Sequence, residues 1–169
     1  YETARQITEE LDRLDRANPE VVSFGNNANL SWMFKYQGDM TLAQQSALRV
    51  LSFTNNSLVL NQLSDITLGT LMFKAGDIIQ INGLPYPFTV VHDVYKSSGA
   101  TVTLTTHRPS FFNADFDPVV GESILIGNSV SFNMLCVNMP TYTLVPGGKT
   151  ALLQFDSDFQ LYEYTRTVL

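Results

Sequence analysis

The chain has 169 residues, 44% of them apolar and only 15% charged, with a formal net charge of −6. That length is enough for one domain with a sizeable core. The acidic balance, with four lysines and six arginines scattered along the chain, excludes the basic footprint that nucleic-acid binding requires. So few charges leave Thr, Ser, Asn and Gln to cover the surface, or leave part of it to be covered by other subunits.

No run of about 18 apolar residues occurs, so no membrane-spanning helix is expected. No secretory pattern precedes the domain. The chain opens on Tyr1 rather than Met, and its natural start is expected to be missing or trimmed.

The first twenty residues differ from the rest. They hold nine of the chain's 26 charged side chains. Ala4, Ile7, Leu11 and Leu14 recur at helical spacing, one apolar stripe on a helix of about four turns. Thr3 with Gln6 fits a capping box, and Pro19 marks the end. Residues 1–20 are therefore expected to form a helical arm. A helix this short is marginal alone, so it seats either on its own domain or on a neighbour.

A single antiparallel β domain is expected over 21–169. Val21 to Phe24 is a short apolar run. Leu30 to Tyr36 reads as a strand, with Leu30, Trp32, Phe34 and Tyr36 on one face. Thr41 with Gln44 is a second capping box, predicting a helix over 41–52 with Ala43, Ala47, Val50 and Leu51 inward. Strand resumes at Leu58 to Leu60.

A meander follows. Gly76-Asp77 and Asn82-Gly83 are turn pairs with a four-residue strand between them. Tyr86, Phe88, Val90 and Val94 then fall on one face. Val102 and Leu104 alternate with Thr101, Thr103 and Thr105. Next comes the least regular stretch, Ser110 to Pro118. Its Phe111, Phe112 and Phe116 either plug the end of the core or meet a partner.

Strands are expected at Ser123 to Ile126 and Val130 to Val137. The chain closes on an alternation in which Leu153, Phe155, Phe159 and Leu161 face one way and Gln154, Asp156, Asp158 and Gln160 the other. The fold class is thus mainly β, an antiparallel sandwich or barrel-like domain with one packed helix and an N-terminal helical arm.

Catalytic chemistry has few footholds. His92 lies among apolar neighbours and reads as a structural histidine. His107 ends a strand and, with Asp93, Asp115 or Asp117, is the only basis for a metal site or a His–Asp pair; no ligand spacing supports either. Gly147-Gly148-Lys149-Thr150 suggests a phosphate loop, but the first glycine would have to stand where Leu144 is. Asp156 and Asp158 share a strand face and read as solvated ladder neighbours. Cys136, the only cysteine, reads as a small buried hydrophobe, and one cysteine per chain builds no disulfide framework. Asn29-Leu30-Ser31 and Asn55-Asn56-Ser57 match the glycosylation pattern by chance. No enzymatic activity, cofactor or metal is expected.

One family accounts for an ordered set of features. These are Asn29-Leu30-Ser31-Trp32-Met33-Phe34, the helix from Met40 to Leu51, Ala75 to Gly83 with Tyr86 and Val90, Ala100 to Leu104 followed by His107-Arg108-Pro109, and Asn138 to Leu144 with the closing strand through Glu163. In this combination, over residues 22 to 164, the chain resembles distal tail and minor tail proteins of tailed bacteriophages; the arm lies outside the match. The resemblance implies a non-enzymatic building block of the virion, a ring around the tail axis made of copies of the chain and assembled in the host bacterial cytoplasm. It implies tail-tube protein on one side and hub or fibre proteins on the other. Ile7, Leu11, Leu14, Phe111, Phe112 and Phe116 are the candidate protein–protein interface. Two other classes stay open: a β-sandwich that binds a receptor or glycan, and a small metal-dependent hydrolase built on His107.

Overall fold

The computed structural model describes residues 20–23, 31–109, 119–138, 142–147, 150–155 and 160–164. The described residues are mainly β, in several antiparallel sheets, and fall into two compact units divided near Ser131. The expected arm over 1–20 lies outside the described residues, apart from Glu20, where strand β1 (Glu20–Ser23) begins.

The larger unit, Ser23–Ser131, begins with one helical turn, α1 (Ser31–Phe34), where a strand was expected. The aromatic alternation is real, but no ladder partner receives it. Instead Gly127, with φ of +61°, approaches so closely that a Cβ there would stand 2.7 Å from the Phe34 carbonyl oxygen and 2.9 Å from the Tyr36 nitrogen. Only glycine fits this contact, and it holds the end of the turn in place.

Helix α2 (Leu42–Ala47) starts at the expected capping box. Gln44 N–H donates to Thr41 Oγ1 at 3.3 Å, and Thr41 N–H donates to Gln44 Oε1 at 2.9 Å. The helix expected over 41–52 stops at Ala47, because β2 (Arg49–Thr54) pairs in a ladder with β3 (Ser57–Asn61) and claims residues 49–52. The proposed inner face is corrected with it. Ala43 and Ala47 are exposed, Val50 is buried as a strand residue, and a bulge between Val50 and Ser52 leaves Leu51 exposed.

The meander follows the sequence closely. After β4 (Leu71–Phe73), β5 (Ile78–Ile81) is the four-residue strand between turns at Gly76 and Gly83, both at positive φ. β6 (Phe88–Thr89), β7 (Val94–Tyr95) and β8 (Val102–Thr105) follow, then β9 (Ile124–Ile126) and a 3-10 turn at Gly127–Ser129. Tyr86, Phe88 and Val90 are buried together, and Val102 and Leu104 are buried while Thr103 and Thr105 are exposed.

Two three-stranded sheets, β2-β3-β8 and β6-β5-β9, dominate this unit, with β4 and β7 as a separate pair. Single antiparallel bridges, Arg49 to Ser123 and Val90 to Thr106, tie the two larger sheets at both edges. Single bridges are not ladders, so the barrel is not closed. The core holds Leu58, Leu60, Phe73, Ile79, Ile81, Tyr86, Phe88 and Leu104. Phe53 and Tyr86 meet Phe88 edge-on at 4.9 and 5.5 Å.

In the smaller unit β10 (Ser131–Asn138) lies between β1 and β13 (Gln160–Glu163). β11 (Tyr142–Gly147) and β12 (Thr150–Phe155) form a hairpin of six register pairs. Pro146 and Gly147 are strand residues. The closing alternation belongs to two strands with different partners, β12 on β11 and β13 on β10.

Candidate functional site

The polar side chains with chemical potential are engaged in holding backbone. Asp77 is 2% exposed and follows the Gly76 turn. Its carboxylate accepts the N–H of Gln37 at 2.9 Å and of Lys74 at 2.8 Å. Burial pushes its pKa above the usual carboxylate value, and the two N–H bonds oppose that rise.

Nearby, Tyr36 Oη donates to the Met72 carbonyl at 2.6 Å and accepts Met40 N–H at 3.1 Å. Burial raises this phenol to about 12. Asp39 N–H donates to Leu71 O at 2.8 Å. Segment 36–40 is thus clasped to β4 and to the turn after it by three bonds. Gly38 permits the closeness, since a Cβ there would collide with the Tyr36 hydroxyl and stand 2.7 Å from Met72 O.

Gln80 and Thr106 are the other buried polar residues among those described, and Gln80 lies within strand β5. Its amide donates to Leu84 O at 2.8 Å and accepts Ser131 N–H at 2.9 Å. A buried amide bonded at both ends fixes a position and is not poised for a ligand.

His92 is exposed, not a central-strand residue, because β6 ends at Thr89. His107 is exposed too, and its Nδ1 accepts Thr89 N–H at 2.8 Å. Asp93 accepts Ala75 N–H at 2.8 Å, 18 residues away along the chain. His107 and Asp93 therefore each cap a backbone group. Asp115, Asp117, Asp156 and Asp158 lie outside the described residues, and among the described residues no three His, Cys, Asp or Glu side chains converge. Cys136 is paired in register with Leu161.

All six candidate interface residues, Ile7, Leu11, Leu14, Phe111, Phe112 and Phe116, lie outside the described residues. The described surface does carry exposed large apolar side chains, among them Leu42 at 82% and Leu68 at 65% exposure.

One concavity was not legible beforehand. An open cleft of about 660 Å³ lies beside the end of β3. Residues 61–64 and 98–100 line it together with Ile66, Leu68 and Lys96; Leu63 and Ile66 are buried, while Leu68 is exposed. No motif marks it. The positive φ of Gln62, +66°, is the local oddity, and sequence does not announce it.

These observations define a mainly β, antiparallel protein in which two of the candidate catalytic side chains, His107 and Asp93, each accept a backbone N–H. No protein-family model matches the chain, and no curated protein sequence matches it at a significant level. Among the described residues no helix is long and apolar enough to cross a membrane.

Proposed function

We propose that this protein is a non-enzymatic structural component of a bacteriophage tail. It forms a distal tail, tail-tip or baseplate ring from copies of itself and joins tail-tube, hub or fibre proteins in the virion. The family resemblance of residues 22 to 164 suggests the setting. The observation that carries the reading is a low-charge chain with exposed leucines, valines and tyrosines, including Leu42, Leu68, Val120 and Tyr95. Apolar surface of that kind is what subunit contacts cover. A sandwich-like arrangement of the two larger sheets, tied at both edges, suits a rigid ring subunit.

The receptor- or glycan-binding reading is less well supported. Sugar sites use aromatic platforms, and among the described residues no aromatic one lines the 660 Å³ cleft. The hydrolase reading loses its histidine to a backbone cap.

Light scattering and negative-stain microscopy of the purified chain test the proposal. The expected result is a closed homo-oligomer, reduced to smaller species by Leu11→Asp with Leu14→Asp while the β circular-dichroism signal persists. A chain that stays monomeric at every concentration, and is missing from the tails of assembled particles, overturns it.

A further inference from the structure

The cleft beside β3 is a strand pair that parts. β3 and β8 are paired from Ser57 with Thr105 through Leu60 with Val102. The ladder then stops. Asn61 still pairs with Arg49 of β2, but Gln62 at positive φ turns the chain away from β8. The two departing segments, 61–64 and 98–100, become the two lips of the cleft.

Three features of the lips bear on what fits between them. Among the described residues the N–H groups of Leu63, Ser64, Ser98 and Ala100 have no hydrogen-bond partner. Asn61 Oδ1 is buried without a partner. A buried carbonyl oxygen left unpaired is costly, and a ligand that brings a donor removes the cost. Leu68 offers exposed aliphatic surface beside the buried Leu63 and Ile66, and among the described residues Lys96 is the only charged one lining the cleft. Its amine donates to the carbonyls of Ser97 and Gly99 at 2.8 and 2.5 Å, so two of its three donors are spent within the turn.

We propose that this cleft binds an extended peptide by strand addition. The peptide's main chain bonds the two lips, an aliphatic side chain covers Leu68, a donor reaches Asn61 Oδ1, and an acidic side chain meets the remaining Lys96 donor. Strand addition takes its affinity from main-chain bonds and its selectivity from alternate side chains. The single lysine on an otherwise uncharged cleft in an acidic chain selects an acidic, aliphatic segment on charge grounds. The proposal is independent of the tail reading; a ring subunit without this activity and a monomer with it are both distinguishable results.

The probe is a blocked octapeptide alternating valine with aspartate or threonine, titrated into the full chain and followed by amide chemical shifts. Saturable binding that perturbs residues 61–64 and 98–100 is expected. The same peptide N-methylated on alternate amides should bind at least tenfold more weakly. Leu68→Asp should also weaken binding about tenfold. Asn61→Leu gives the most diagnostic result, because removing an unpaired buried oxygen should raise the denaturation midpoint of the free protein while lowering peptide affinity. Absence of saturable binding, equal affinity for the N-methylated peptide, or an Asn61→Leu variant that loses stability and keeps its affinity each overturns the proposal.

Discussion

His107 and Thr89 are bonded in both directions. His107 N–H donates to Thr89 O at 3.0 Å, and Thr89 N–H donates to His107 Nδ1 at 2.8 Å. The side chain thus completes, two residues beyond β8, a pairing that the backbone alone leaves half made. An imidazole that accepts at Nδ1 carries its proton on Nε2.

His107→Ala should therefore cost about 0.5–1.5 kcal/mol, the usual net value of one such bond. His92→Ala, at an exposed position, should stay within about 0.5 kcal/mol of wild type. Urea denaturation of the two variants tests this. A larger loss at position 92 would refute it.

Tyr36→Phe removes both bonds of the phenol, leaving Met40 N–H and Met72 O without it. A loss of about 1–3 kcal/mol is expected. The pH dependence has a definite sign. The folded phenol titrates at about 12 against 10.0 for the free side chain, so its contribution is complete below pH 10 and is lost as pH rises toward 12. Tyrosinate absorbance and the melting difference between wild type and Tyr36→Phe should both follow that interval.

Asp77→Ala deprives Gln37 and Lys74 N–H of a buried carboxylate and should cost roughly 2–4 kcal/mol. Protonation has the opposite consequence. The folded pKa lies above the ordinary 3.8, so the folded state holds the proton more tightly than the unfolded chain. Wild type should gain stability relative to Asp77→Asn as pH falls from the raised value through 3.8. A relative loss over that interval would show that the two N–H bonds outweigh burial.

Two glycines at positive φ should respond differently to alanine. Gly69 stands in open space and should lose about 1–2 kcal/mol for the left-handed backbone alone. Gly127 adds the collision with Phe34 and Tyr36, and overpacking of this kind costs about 1–3 kcal/mol more. Equal losses would mean that the 31–36 segment yields freely.

Much of the larger unit was legible because its signals are local. The turn at Gly76, the strand Ile78–Ile81, the turn at Gly83 and the alternation from Val102 to Thr105 each follow from neighbours in sequence. The failures share one cause, partners far along the chain. Residues 49–52 carry a pattern that suits helix or strand, and β3 decides it. The 31–34 turn is settled by Gly127, over ninety residues away. The turn pair Gly76-Asp77 was visible, but not that its carboxylate is buried on Gln37 N–H. The cleft was invisible for the same reason, since it exists only where two distant strands part.

The single bridges at Arg49–Ser123 and Val90–Thr106 have a mechanical consequence. Tension along a sheet loads its ladders in shear, where several bonds share the force. Tension that separates the two sheets instead peels the seams, where bonds yield one after another. The yield points under load are then these two seams, braced by Val50 N–H on Glu122 O at 2.9 Å and Val91 N–H on Thr105 O at 2.9 Å. A unit built this way resists stretch along its strands and gives way across them.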